Sequence, residues 1–328
     1  MQSLNIIGGD VLLPQHGPQP ESLHVADGVI AAIGATPASA LTLDAAGLWV
    51  LPGIVDIHGD AFERQLQPRP GVDFPTGLAL RDTEAQLLAN GITTAVHALL
   101  EGLEAEHWTC DMRVHLRWEA YNLDALDTAL ADIAAGRVHL LAFNDHTPSI
   151  LKKLADPVAG AKFSERAGMS LAEFSAVAER VGARADAVPA AQERIAAAAR
   201  AARIPLASHD DDSIAVRDAF RAKGARICEF PMAEEVGAAA RAAGDFVVMG
   251  SPNVVRGRSH LGWASAARLA EAGICNVLSS DYYYPAMMRA ALMLAERGVL
   301  GLSQAWSLIS ANPAAAGGLD DRGTIAAG

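Results

Sequence analysis

Lysine is scarce in this chain. Of 26 basic side chains only four are lysines (Lys152, Lys153, Lys162 and Lys223), and the other 22 are arginines. Cysteine is scarcer still. Cys110, Cys228 and Cys275 are odd in number and form no CxxC pair, which counts against a disulfide framework and points to a reducing cytoplasm. No run approaches the roughly 18 apolar residues that cross a bilayer. The first ten residues lack the basic and apolar regions of a signal peptide, so a cytoplasmic protein without membrane contact is expected. Positive charge is in deficit, 38 acidic residues giving a net charge of −12, and this argues against a nucleic-acid partner, which would need a basic face. It leaves room for a local arginine cluster around a polyanionic small molecule. A Gly-rich phosphate loop is also missing, which disfavours an open, doubly wound dinucleotide fold.

What is present is core material. Half of the 328 residues are hydrophobic, which excludes global disorder. Residues 1–51 read as short strands broken by Gly8-Gly9-Asp10, Asp27-Gly28 and Ala45-Ala46-Gly47, a small β-sandwich module. From Pro52 the texture changes. Eight apolar runs of strand length, from Ile54–His58 to Cys275–Ser279, alternate with Ala-rich segments of helical period. Several of these segments stop at a glycine, as at Gly91, Gly224, Gly244 and Gly273. Strand–helix alternation implies parallel βαβ units, and eight of them fit an α/β fold of the (β/α)8 TIM-barrel type over residues 52–316. A helical insertion at about 150–204 carries two or three extra helices, expected over the barrel's C-terminal face as a lid or dimer contact of a homo-oligomer. Residues 317–328 begin a return segment to the β module.

In such a barrel the active site lies at the C-terminal ends of the strands. Those ends carry Asp56-Ile-His58-Gly-Asp60, His97, His115-Leu-Arg117-Trp-Glu119, Asn144-Asp-His146, His209-Asp-Asp-Asp212, Glu229, Asn253 to Arg256, and Asp281. Strand side chains alternate, so His58 and Asp60 share a direction, as do His115, Arg117 and Glu119. A single histidine or carboxylate at a strand end is usually a hydrogen-bonded structural group. Repetition on nearly every strand is different, because burying so many ionisable groups together is costly without a compensating cation. Imidazole and carboxylate suit one or two divalent ions, zinc first, with manganese or iron also compatible.

Leu51-Pro-Gly-Ile-Val-Asp-Ile-His58, Ser280-Asp281, Asn312-Pro313 and the closing Asp321-Arg-Gly-Thr-Ile-Ala-Ala-Gly328 together resemble the amidohydrolase superfamily. A narrower resemblance, spread from about residue 50 to the end, is to the diphosphatase family of the carbon–phosphorus lyase pathway, which acts on alpha-D-ribose 1-methylphosphonate 5-triphosphate. It is carried by His58-Gly-Asp-Ala-Phe-Glu-Arg64, Pro68-Arg-Pro-Gly-Val72, His115-Leu-Arg-Trp-Glu119, Asp145-His-Thr-Pro148, Ala207-Ser-His-Asp-Asp211, Glu229-Phe-Pro231, Met249 to Gly257 with Ser259-His260, and Ser279-Ser-Asp-Tyr282. Two segments depart from the family pattern. Ser149-Ile-Leu-Lys-Lys153 replaces a Gly-Gln-rich stretch, and Ala61-Phe62 replaces an Asn after the first-strand pair. The chain also ends at Gly328, before the further strands that complete the N-terminal module in relatives.

The resemblance implies metal-dependent hydrolysis of a phosphorylated small molecule, a ribosyl triphosphate, between its α and β phosphorus atoms to release pyrophosphate in phosphonate catabolism. His58, Asp60, Glu119, His146, His209 and Asp281 are the implied metal ligands, with Asp281 as the general base. Glu229, Asp210 and Asp211 are additional ligands or orient the imidazoles. Arg64, Arg69, Arg256, Arg258 and His260 are the candidate phosphate contacts. The superfamily's carbamylated lysine has no counterpart, since none of the four lysines falls in a strand and Lys152 and Lys153 are expected in a loop. Glu119 is the better candidate for a bridging carboxylate, or the site holds a single metal. Two other readings stay open at this point: an amidohydrolase acting on a C–N bond, such as a deacetylase or cyclic amidase, and a non-catalytic barrel that assembles with partner proteins.

Overall fold

The computed structural model describes residues 3–14, 16–38, 40–69, 71–98, 103, 107–257 and 265–328. Five strands come first: β1 (Leu4–Leu12), β2 (Pro18–Ala26), β3 (Val29–Ile33), β4 (Leu41–Asp44) and β5 (Trp49–Val50). They form one sheet of order β3-β2-β1-β4, with β5 also on β1. Residues 41–50 thus add in parallel to the edge of β1 instead of building a second facing sheet. Val11, Leu23 and Ile325 make the core of this module, and the Gly328 N–H donates to the Ile30 carbonyl at 3.1 Å.

Eight further strands follow: β6 (Ile54–Gly59), β7 (Ile92–His97), β8 (Asp111–Glu119), β9 (Leu140–Asn144), β10 (Leu206–His209), β11 (Ile227–Glu229), β12 (Phe246–Gly250) and β13 (Val277–Ser279). Every neighbouring pair is parallel and in sequence order. β6 and β9 are buried at every residue, as strands covered on both faces must be. The circle closes where Gly59 bridges to Asp281, with the Asp281 N–H on the His58 carbonyl at 3.0 Å. This is the expected (β/α)8 barrel with an N-terminal β module.

One core cluster takes residues from seven of the eight barrel strands, among them Val55, Val96, Leu140, Ala207, Val248 and Val277, which places it inside the barrel. Each fully buried side chain of this size contributes about 2 kcal/mol. A second cluster around Leu87, Leu269, Leu294 and Trp306 joins the outer helices to the strands. Helices stop at Gly91, Gly224, Gly244 and Gly273, all at positive φ, where an L side chain would be strained.

Four helices separate β9 from β10, three more than the one each barrel unit carries: Thr147–Leu154, Pro157–Arg166, Leu171–Gly182 and Val188–Ala201. Lys152 and Lys153 therefore lie in the last turn of a helix and not in a loop. Cations are favoured there by the helix dipole. Asp156 caps the second helix through the Val158 N–H, and Ser170 with Glu173 forms a capping box on the third.

Candidate metal centre

The C-terminal ends of β6, β8, β10 and β11 bring His58, His115, His209 and Glu229 together. The carboxylate of Glu229 is fully buried. Its Oε2 lies 3.1 Å from His58 Nδ1 and 3.2 Å from His209 Nδ1, and its Oε1 lies 3.9 Å from His115 Nε2. The rings of His58 and His209 stack at 5.2 Å, and Phe230 meets both edge-on at 4.8 and 5.3 Å. Burial alone would neutralise Glu229, but the imidazole of His58 and the hydrogen bonds from His209 and His58 hold its pKa well below the ordinary range. Burial lowers the His58 pKa and Glu229 raises it, with a net rise. For His115 burial prevails and the pKa is pushed down to about 3, so its imidazole is neutral with a lone pair to offer.

A second group opens outward from the first. His146 follows β9, with its Nδ1 2.5 Å from Glu119 Oε1 and its Nε2 3.9 Å from Asp210 Oδ2. His209 Nε2 lies 3.6 Å from Asp210 Oδ1. The carboxylates of Asp210 and Glu119 push the His146 pKa up to about 9. Two sets of potential ligand atoms each lie within 4.8 Å: His58, His209 and Glu229, and His146, His209 and Asp210. His209 belongs to both.

Whether these residues fit a cation can be judged from their hydrogen bonding. His58 Nδ1, His115 Nε2 and Glu229 Oε1 are buried and have no aligned hydrogen-bond partner among the described residues. A buried polar atom left unpaired costs about 1–3 kcal/mol. Three of them converging in one imidazole–carboxylate cluster fit a divalent ion of the zinc, manganese or iron type.

The other residues singled out in the sequence go to different places. Asp60 stands outside both groups, with its Oδ1 accepting from Arg117 Nη1 at 2.7 Å. Asp281 is also outside them and sits at the barrel seam. Its Oδ2 would be 2.7 Å from a Cβ on Gly250, so a larger residue there would have to displace the Asp281 carboxylate. Asp211 points away from the histidines and is buried, accepting from the Ser208 hydroxyl at 2.5 Å and facing Arg217. That contact makes it part of a structural ion pair, not a partner for imidazole. Arg64 and Arg69 are exposed, and Arg256 Nη1 donates to the Tyr282 hydroxyl at 3.2 Å. Arg258 and His260 lie outside the described residues.

Sequence reasoning passed over His115 and Arg117 as site residues. Their signal was the alternation with Glu119 along β8, which puts all three at the barrel mouth. His97 ends β7 but is packed between Phe62 and Tyr284, and burial lowers its pKa.

A parallel eightfold barrel with histidines and carboxylates at the strand ends is the architecture expected of an amidohydrolase, and solved structures bear out the fold. Molinate hydrolase superposes with a TM-score of 0.66 at 14% identity, covering 100% of this chain and 88% of that one. An amidohydrolase from a Sargasso Sea environmental sample gives 0.65 at 15% identity, covering 99% and 82%. An adenosine deaminase from Xanthomonas campestris with bound zinc gives 0.65 at 14% identity, covering 100% and 83%. No family model matches the chain. It is 33% identical over 316 residues to the alpha-D-ribose 1-methylphosphonate 5-triphosphate diphosphatase of Escherichia coli K12, an alignment spanning 87% of this chain and 82% of the relative. The chain belongs to that diphosphatase family.

Among the described residues no helix is long and apolar enough to cross a membrane.

Proposed function

We propose that this hydrolase uses a divalent metal to cleave a ribosyl triphosphate, alpha-D-ribose 1-methylphosphonate 5-triphosphate, to the monophosphate and pyrophosphate. The observation that carries the reading is the pair of ligand groups sharing His209 in a chain of this family. His58, His209 and Glu229, with His115 beside them, would hold one ion. His146 and Asp210 with Glu119 would share His209 to hold a second. When bound, the cation supplies Lewis acidity, which acidifies water and draws charge from phosphoryl oxygens.

The protein's own groups do the rest. Asp281 accepts the proton of the attacking water at its carboxylate, and the backbone bonds at the seam hold that carboxylate in place. Water oxygen bonds to the α phosphorus, the bond from that phosphorus to the bridging oxygen breaks, and pyrophosphate leaves with the bridging oxygen. Asp60 aims Arg117 at the mouth of the barrel, where a guanidinium suits phosphoryl oxygens. Arg256, which donates to Tyr282, is a further candidate for phosphate contact, as are Arg64, Arg69, Arg258 and His260.

The test compares chelator-stripped protein with the same protein reloaded with zinc, manganese or iron, each incubated with the ribosyl triphosphate and followed by phosphorus NMR. Pyrophosphate and the monophosphate are expected from the reloaded samples, with stripped protein at background. Turnover of N-acyl sugars or cyclic amides by loaded protein that releases no pyrophosphate would sink the proposal.

A further inference from the structure

A cleft of about 650 Å³ runs from the candidate metal centre beneath the insertion. That volume lies in the range of small-molecule sites. Glu119 and His146 line it, so whatever fills it reaches the outer ligand group. Tyr121, Ser149, Lys153 and Arg184 line it too.

The charges of this cleft are distinctive in so acidic a protein. Three of the four lysines belong to the insertion, and Lys153 is the one on the cleft. Its ammonium lies 5.9 Å over the Phe163 ring and makes no ion pair among the described residues. Arg184 Nη1 lies 2.8 Å from Asp124 Oδ1, but Asp124 is 86% exposed, so water screens the pair. The remaining guanidinium donors can turn to a ligand. The Tyr121 phenol adds a neutral donor. The carboxylates of Glu119 and Asp124 also line the cleft, and against them stand an ammonium, a guanidinium, a phenol and a hydroxyl, donors that suit phosphate oxygens. Arg64, Arg69 and Arg256 do not line it.

We propose that the insertion supplies the subsite for the pyrophosphoryl end of the substrate, with Lys153 and Arg184 as its cationic contacts. The assignment of the ligand's end rests on the function proposed above; the anion subsite itself rests on the cleft. With the α phosphorus at the metal centre, the leaving pyrophosphate extends past Glu119 and His146 toward the insertion. The insertion then acts as a specificity element that rewards a polyanionic leaving group. A neutral cyclic amide would draw nothing from it.

Inorganic pyrophosphate is the probe. Metal-loaded parent protein and the variants Lys153→Met, Arg184→Met and Lys153→Arg are titrated by calorimetry at low salt. Metal content and melting temperature are checked on each sample. Each Met variant is expected to bind about tenfold more weakly, the scale of one charge-assisted hydrogen bond. Lys153→Arg keeps the charge and is expected to restore affinity to within about threefold of the parent. Equal affinity in parent and Met variants, or no pyrophosphate binding by the folded, metal-loaded parent, overturns the subsite. Parent protein that binds pyrophosphate in this Lys153-dependent way yet releases none from the ribosyl triphosphate leaves the subsite standing and removes the proposed reaction.

Discussion

The carboxylate of Asp210 faces the imidazoles of His146 and His209, that of Asp211 is buried on Ser208 and Arg217, and that of Asp212 lies in solvent. Composition and spacing treat these three neighbours alike. Only the backbone turn at Asp210, with φ at 57°, sends successive side chains apart. Asp211 and Glu229 are both completely buried acids, yet their partners differ in kind. Arg217 gives Asp211 a permanent counter-charge, while Glu229 has only imidazoles, whose lone pairs can turn to a metal. Glu229→Gln is therefore expected to weaken divalent-metal affinity by about 10–100-fold, the usual effect of disturbing a metal site's supporting residues. Metal-competition titration checks this, and unchanged affinity would make Glu229 a structural acid. Asp211→Ala should leave metal content intact and cost about 1–2 kcal/mol, since Arg217 loses one carboxylate but keeps Asp245 at 3.5 Å. Denaturant unfolding of the metal-free protein measures that cost.

Strand ends carry strain where the site is built. Asp210, Phe230 and Asp281, just beyond β10, β11 and β13, all adopt the left-handed conformation without being glycine. Each costs about 1–2 kcal/mol relative to an ordinary strand exit. In return Asp210 reaches His146 and His209, and Phe230 packs its ring against those of His58 and His209. Asp210→Gly should release the strain, stabilising the metal-free protein by about 1 kcal/mol, while lowering metal affinity. A lower melting temperature for the metal-free variant would show that the Asp210 contacts outweigh its backbone cost.

The eight barrel strands were legible in the sequence because each is a short apolar run bounded by turn residues. The helix Thr147–Leu154 was not, because it is short, follows the strand within three residues and ends in a Lys-Lys pair that reads as solvated loop. It holds through a close approach: a Cβ on Gly182 would come within 2.5 Å of Leu151 Cδ1. Such a contact between two insertion helices leaves no periodic trace in the chain. Glu229 was placed behind Asp60 and Asp281 for a similar reason. Nothing in spacing reveals that three strands aim histidines at one carboxylate on a fourth.

At the scale of the molecule, the last residues tie the barrel to the β module. Arg322 donates to Asp111 at 2.5 Å and to the Thr94 hydroxyl at 2.9 Å, and Ile325 then enters the module's core. Burial raises the Asp111 pKa, but hydrogen bonds from Arg113 and Arg322 outweigh it and the net value is lowered. A carboxyl that titrates lower when folded contributes stability above its ordinary pKa of about 4. It loses that contribution as pH falls through the folded value. Arg322→Ala should therefore cost about 1 kcal/mol near neutrality and much less in acid below the folded Asp111 value. Urea unfolding across pH would expose an equal cost at both ends as a failure of this account.

The seam between β6 and β13 has a consequence for synthesis. Its bonds join residues at the two ends of the barrel, as where the Ser280 N–H donates to Asp56 across 224 positions of chain. Asp281, the proposed base, reaches the first strand only once nearly the whole barrel has left the ribosome. His58, His115, His209 and Glu229 are therefore all made before the residue proposed to activate water. Closure of the seam is the step of synthesis that would bring the proposed base to the proposed ligands.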